Sequence, residues 1–323
     1  MPGTVPPMRA LLVVNPKATT TSERSRDVLV RALRSAVDLT VEYTVRRGHA
    51  ATLARAAAES GVDVVVTLGG DGTVNEAVNG LMTAPAVLDG LPGPLAKRLP
   101  ALAVVPGGST NVFARALGLP RDWVDGTSVI LDGLRDGRHR VIGLGRADDR
   151  YFTFAAGMGL DAAVVRRVEQ ARLRGRTSTP GLYFRSIAGH FITGDDRKSP
   201  PLSIERPGEA AVNELGTVIV QNTAPWTYLG DRPINPNPAA SFDRGLDVLA
   251  LRRLAVISTT RTMAQLAYRT GDPHGKQVLH LHDQEEFTVI AARPQPFQLD
   301  GDYLGERQKV HFLSVPEALR VIC

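Results

Sequence analysis

Val62 to Leu68 is a strand-like, largely apolar run that ends in Leu68-Gly69-Gly70-Asp71-Gly72-Thr73 and leads into a segment of helical character. A buried-type strand, a glycine-rich turn and a helix in direct succession leave few architectures open. Gly69, Gly70 and Gly72 lack the Cβ atoms that would hold an anion away from the backbone, and they permit positive φ. Main-chain N–H groups and a helix N-terminus then face that anion. Asp71 in mid-turn can hold Mg²⁺ against phosphate oxygens, because Mg²⁺ takes one or two carboxylates plus substrate phosphates. A plainer account runs alongside. Thr73 and Glu76 have the spacing of a capping box, and Asp71-Gly72 is an ordinary turn dipeptide.

Around this turn the first half of the chain alternates strand and helix signals. Arg9 to Val14, Leu39 to Val45, Val62 to Leu68 and Ala101 to Val105 read as strands. Ser22 to Val37, His49 to Ser60, Thr73 to Met82 and Asn111 to Leu117 read as helices. Such alternation predicts a parallel sheet covered on both faces, with ligands beyond the carboxyl ends of the strands. Two further loops there carry suitable residues: Asn15-Pro16-Lys17, and Pro106-Gly107-Gly108-Ser109-Thr110-Asn111. The latter repeats the glycine-turn logic, although Ser109 or Thr110 also suits a helix N-cap. Ala84 to Pro100, rich in Pro and Gly, reads as a long surface loop.

From about Val141 short strand signals dominate: Tyr151 to Ala155, Leu202 to Arg206, Thr217 to Gln221, Leu246 to Leu251, Gln277 to His282 and Glu286 to Ala291. Helical stretches fall near Leu160 to Leu173 and Ile257 to Tyr268. The expected fold is an α/β N-terminal domain with a parallel sheet, followed by an all-β, sandwich-like C-terminal domain. The chain of 323 residues is long enough for both. Its single cysteine, Cys323, allows no internal disulfide, and neither a signal peptide nor an apolar span stands out. A cytoplasmic protein is therefore expected. The net charge of +5 is uneven: Arg166, Arg167, Arg172, Arg174, Arg176 and Arg185 face only Glu169. This is either a solvated helix face or a surface for an anionic membrane, together with the apolar residues Leu182 to Phe191. No zinc spacing, serine-hydrolase frame or nucleic-acid recognition motif is present, so no nucleic-acid partner is expected.

Three spaced elements together resemble the catalytic family of diacylglycerol and sphingosine kinases, in its bacterial lipid kinase branch. They are Gly69 to Glu76 with Asn79-Gly80, Pro106 to Asn111 leading to Phe113-Ala114-Arg115, and Leu299-Asp300-Gly301-Asp302. The first is shared with nicotinamide-nucleotide kinases and phosphofructokinases; the other two narrow it to the lipid branch. The resemblance implies an NAD kinase/phosphofructokinase-like first domain over residues 1–142, to which a segment within 306–323, near Lys309 to Val315, returns. It implies a lipid-substrate domain over 143–305, with ATP bound between the two.

By position, Asn15, Pro16, Lys17 and Thr44 line the nucleotide site, Gly69, Gly70, Asp71, Gly72 and Thr73 hold the phosphates with Glu76 behind them, and Gly107, Gly108, Ser109 and Thr110 complete it. Asp300 and Asp302 lie where the family places its catalytic acid, and either is open as the base. The implied cofactors are ATP and Mg²⁺, the latter on Asp71. A structural Mg²⁺ is implied on Asp243 with the Ala240 and Gly245 carbonyls, although Asp-Arg-Gly is also a normal turn. The implied partner is a lipid hydroxyl at a membrane surface, with peripheral membrane contact and a homodimer left open. Three positions depart from the pattern: Ala18-Thr19-Thr20 stands for Ser-Gly, Asp302 for Glu, and Val112 for Asp. A nicotinamide-nucleotide kinase and a non-catalytic nucleotide or lipid sensor are the competing functions.

Overall fold

The computed structural model describes residues 7–18, 22–88, 95–173, 200–252, 254, 256–266 and 272–323. Thr19, Thr20, Arg174, Arg176, Arg185 and the stretch Leu182 to Phe191 lie outside them. The chain forms two compact units, Met1–Gly143 with Glu317–Cys323, and Leu144–Pro316.

In the first unit β1 (Arg9–Val14), β2 (Asp38–Tyr43), β3 (Val64–Gly69) and β4 (Ala101–Pro106) pair in parallel in the order β4-β3-β1-β2. β3 and β4 are buried along their whole length, as strands with both faces covered must be. The cover is α1 (Glu23–Arg34), α2 (His49–Glu59), α3 (Asp71–Met82), the short α4 (Pro85–Leu88) and α5 (Val112–Ala116), with α6 at Trp123–Asp136. Leu29 and Leu33 of α1, and Ile130 and Leu134 of α6, join Leu12, Val14, Val66, Leu68, Ala103 and Val105 in one apolar core. α6 has no counterpart in the sequence reading, and α4 lies in the segment read as loop.

The register fixes where ligand chemistry can occur. Tyr43 pairs with Val14, Val14 with Leu68, and Leu68 with Val105. The turns that follow all four strands therefore leave the sheet at the same end.

The second unit is antiparallel. After β5 (Arg140–Ala147) and β6 (Arg150–Phe152), its main path runs β14 (Val278–Gln284), β13 (Leu246–Leu251), β10 (Thr217–Gln221), β7 (Ala155–Gly159), β15 (Glu286–Leu299) and β16 (Asp302–Val321), with β9 (Val212–Leu215), β11 (Thr227–Leu229) and β12 (Arg232–Ile234) off it. Along the edge away from β16, β15 serves two neighbours: Thr288 to Ala291 pair with β8 (Leu202–Glu205), and Phe297 to Leu299 pair with β7. The register shifts between Ile290 and Gln298 are the irregularities that let one strand turn from one partner to the other. Phe152, Phe287 and Phe312 are fully buried in the core that results, with Phe287 stacked on Phe312 at 5.1 Å. Phe152 and Phe154 are thus packing residues. Helices α7 (Leu160–Leu173) and α8 (Val256–Leu266) complete this unit.

The returning segment is shorter than expected. Lys309 to Leu313 pair with β15 in the second unit. Only Glu317–Cys323 belongs to the first, where Val321 pairs in parallel with Leu102 and the Ile322 amide donates to the Leu102 carbonyl at 2.9 Å. Among the described residues, no helix is long and apolar enough to cross a membrane.

Candidate active site

The two glycine turns of the first unit touch through their backbones. The Gly107 amide donates to the Gly69 carbonyl at 2.9 Å. A Cβ on Gly107 would stand 2.9 Å from the Gly69 nitrogen, and one on Gly108 would stand 2.7 Å from the Gly70 Cα. Only glycine at 107 and 108 allows this approach, while a Cβ on Gly69 would meet Thr73 Oγ1 at 2.5 Å, so the glycines serve packing of the turns as well as any anion.

Asp71 joins the same two turns. Its Oδ2 accepts from the Val112 amide and its Oδ1 from the Phe113 amide, each at 3.1 Å. It thereby caps α5, the helix opened by the second turn. Ser109 and Thr110 do not cap it: Asn111 is the N-cap, in a left-handed conformation at φ 51°, with no side-chain bond of its own to the helix. The Asn111 side chain instead closes the turn, accepting from the Gly108 amide at 2.8 Å and donating to the Gly108 carbonyl at 2.7 Å.

The expected capping box is also rearranged. α3 begins at Asp71 with Gly70 as N-cap, so Thr73 lies inside the first turn. Thr73 Oγ1 accepts from Asn15 Nδ2 at 3.1 Å, tying the turn after β1 to the turn after β3. Asn15 Oδ1 in turn accepts from the Lys17 amide at 2.9 Å. Glu76 reaches across to α2, accepting from the Gly48 amide at 2.7 Å and the Ala50 amide at 3.2 Å. It caps α2, whose own N-cap, Gly48, has no side chain to do so. Asn79-Gly80 is explained by the same helix pair, since a Cβ on Gly80 would fall 2.1 Å from the Ala51 carbonyl oxygen. Thr44 stands at the end of β2, its amide donating to the Val14 carbonyl at 2.9 Å. Pro16 and Lys17 are exposed.

In the second unit the two acidic candidates separate. Asp300 is 4% exposed. Its Oδ2 accepts from Thr153 N at 2.7 Å and Thr153 Oγ1 at 2.8 Å, and its Oδ1 accepts from Phe154 N at 3.0 Å and Ala155 N at 3.1 Å. A carboxylate offers about four lone-pair sites, and donors occupy all of them. Asp302 is only partly buried and opens β16 opposite Leu299. Spacing alone does not distinguish two acids on either side of one glycine.

Asp243 is exposed, in a turn where its amide donates to Ser241 Oγ at 3.3 Å. The Ala240 carbonyl accepts from the Ala224 amide at 3.1 Å. No group of three His, Cys, Asp or Glu side chains suited to a metal occurs among the described residues. Sequence reading missed a buried polar relay. Asn222 Nδ2 donates to the Thr153 carbonyl at 3.0 Å, and Gln221 Oε1 accepts from Asn237 Nδ2 at 3.0 Å. Three consecutive polar residues at the end of a buried strand, Gln221-Asn222-Thr223, were the available signal.

With this geometry in view, the similarity to known proteins is specific. The diacylglycerol kinase catalytic domain matches residues 9–147. A diacylglycerol kinase of Staphylococcus haemolyticus (strain JCSC1435) is 33% identical over 300 residues, spanning 91% of this chain and 81% of its own. One from Staphylococcus saprophyticus is 26% identical over 299 residues, spanning 91% and 88%. The crystal structure of a diacylglycerol kinase from Bacillus anthracis str. Sterne shares the fold, with a TM-score of 0.67 at 20% identity over 99% of this chain and 98% of the other. Two glycine turns bound backbone to backbone, an acidic turn on a β-rich unit and an identity of 33% sustained over nearly the whole length agree: the chain belongs to the diacylglycerol kinase family of ATP-dependent lipid kinases.

Proposed function

We propose that the chain transfers the γ-phosphoryl group of ATP to the free hydroxyl of diacylglycerol, with the two glycine turns holding the nucleotide and Asp302 as the base. The observation that carries this reading is the contact between the glycine turns, Gly107 N to Gly69 O at 2.9 Å, which makes one backbone cradle at the end of the sheet. Gly69 to Thr73 and Gly107 to Thr110 receive the phosphates there, with Asn15, Pro16, Lys17 and Thr44 beside them.

Asp71 suits a Mg²⁺ ion held through water. Its two oxygens accept the Val112 and Phe113 amides, so a bridging water suits the ion better than direct ligation. When bound, the ion would neutralise charge on the β- and γ-phosphates. A structural Mg²⁺ on Asp243 and the Ala240 and Gly245 carbonyls is the second metal proposal. It rests on the turn Ser241 to Gly245.

Asp302 is the base in this reading, and Asp300 is the anchor of its turn. The acceptor hydroxyl oxygen bonds to the γ-phosphorus as the bond to the bridging oxygen of ADP breaks. ADP leaves with that electron pair, and the hydroxyl proton passes to Asp302. Phosphoryl transfer asks mainly for positioning and charge neutralisation, and a rigid cradle of main-chain amides supplies the first. The arginines of α7 support peripheral contact with an anionic bilayer, as does the net charge of +5.

Incubation with labelled ATP and diacylglycerol, a sphingoid base, phosphatidylglycerol or NAD tests the reading. Label is expected in phosphatidic acid. Label on NAD alone would sink it, and nucleotide binding with no product on any acceptor would favour a sensor.

A further inference from the structure

Gln298 of β15 stands between Gly157 of β7 and Tyr303 of β16 in the sheet register. Its side chain is buried, at 2% exposure, and both ends of its amide are used. Nε2 donates to Asp161 Oδ2 at 2.8 Å, and Oε1 accepts from the Gly301 amide at 3.0 Å. Gly301, at φ 81°, follows Asp300 at φ 47°, so the turn that presents Asp302 contains two successive left-handed residues. One of them is not glycine, and such a turn persists only where its surroundings hold it.

The two ends of a glutamine amide are nearly equal in size, and the group opposite decides which end faces Gly301. Here that group is Asp161, at the start of α7. Its amide is bound to Thr217 Oγ1 of β10 at 3.3 Å, and Thr217 Oγ1 itself donates to the Met158 carbonyl at 3.3 Å. A carboxylate is an acceptor only, so it draws the NH₂ end of Gln298 and turns the oxygen to Gly301. Gly157 is the complement of this pair: a Cβ there would stand 1.7 Å from Asp161 Oδ2 and 2.8 Å from Gln298 Nε2.

We propose that Asp161 and Gln298 are positioning residues that hold the Asp300-Gly301-Asp302 turn in its reactive form. The inference rests on the reading of Asp302 as the base. Neither residue touches the reacting atoms; each acts through the Gly301 amide.

The relay is also sensitive to pH. Burial pushes the Asp161 carboxyl up to about 7, while the Gln298 N–H pulls in the other direction. The ionised form accepts the stronger hydrogen bond, so the turn tightens as pH rises through about 7. Of the elements packed on α7, β7 and β10 carry no titratable side chain. β13 carries Asp247, which is held by His282. β15 carries Glu286 and Arg293. Beyond it lie Asp300, bound to the 153–155 amides, and Asp302. α7 itself presents Arg166, paired with Glu306 of β16, then Arg167 and Glu169.

Two substitutions test the relay. Asp161→Leu keeps the branched outline of the side chain and removes the acceptor. Asp161→Asn keeps an acceptor oxygen and removes the titration. In Asp161→Leu, kcat is expected to fall on the order of 10- to 100-fold at unchanged KM for ATP, and hydrogen exchange at the Gly301 amide to accelerate about tenfold. Asp161→Asn should restore both, and the rise of kcat through pH 7 should vanish. A normal kcat with slow Gly301 exchange in Asp161→Leu would overturn the proposal, as would an unaltered pH profile in Asp161→Asn. Gly301 exchange needs no acceptor lipid. Failure of the unsubstituted protein to phosphorylate any lipid would therefore defeat the functional reading, while the exchange data would still judge the relay.

Discussion

Asp300 and Asp302 are two residues apart in different environments, the first buried on backbone donors and the second partly exposed. Asp300→Asn would turn an NH₂ group toward the backbone donors of Thr153 to Ala155. Leaving buried donors opposed costs about 1–3 kcal/mol for each unsatisfied group. A lowered melting temperature is expected, and loss of activity should track loss of fold. Asp302→Asn should leave the melting temperature unchanged and reduce kcat by ~10² to 10⁴, the usual contribution of a general base. Circular dichroism melts beside steady-state rates separate the two, and equal rates for Asp302→Asn and the unsubstituted protein would remove Asp302 from the base role. Asp161 carries a stability signature as well. Its folded value near 7 lies above the 3.8 of the free carboxyl, so the folded state holds the proton more firmly between those limits. Its contribution is complete below about pH 4 and is lost as pH rises through about 7. Denaturant titrations at a series of pH values should show that decline, and Asp161→Asn should abolish it.

At the scale of elements, the contact between glycine turns predicts that Gly108→Ala forces the second turn away from Gly70. The main-chain contact on which the proposed phosphate cradle rests would be lost. kcat/KM for ATP should drop at least tenfold, a loss of about 1.4 kcal/mol, with the circular dichroism spectrum retained; an unchanged kcat/KM would contradict the cradle. Much of this architecture was legible in sequence because apolar runs and glycine turns follow one another with strict alternation. α6 was not. Trp123–Asp136 holds Gly126 and Gly133, which weaken a helical pattern. Both are there for close packing: a Cβ on Gly126 would approach Pro106 Cδ to 3.1 Å, and one on Gly133 would approach Ile322 Cγ2 to 2.7 Å. The signals at its ends were present. Asp122 caps it through the Val124 and Asp125 amides, and Gly137 closes it at φ 66°. Glu76 and Asp71 show the complementary failure. Spacing suggested a local capping box for Glu76 and a plain turn for Asp71, yet each caps a helix distant in sequence whose own N-cap residue makes no side-chain cap bond.

Taken as a whole molecule, the chain enters its first unit twice. Ala318, Leu319 and Val321 are fully buried and Ile322 nearly so. Burial of side chains this large contributes roughly 1.5–3 kcal/mol each for Leu, Val and Ile, which is comparable to the net stability of a domain. Deletion of 317–323 is therefore expected to unfold the first unit, as read by loss of nucleotide binding and of the cooperative melt; a deletion variant that still binds ATP would refute this. The same seven residues set an order of events during synthesis. A ribosome releases Met1 to Gly143 long before Glu317 to Cys323, so the first unit waits for the strand that completes it while the second unit is made. During that interval the edge of β4 and the groove beside α6 stand open to chaperones or to other chains. A product that stops short of Glu317 to Cys323 is left with this unit incomplete, its sheet open at β4.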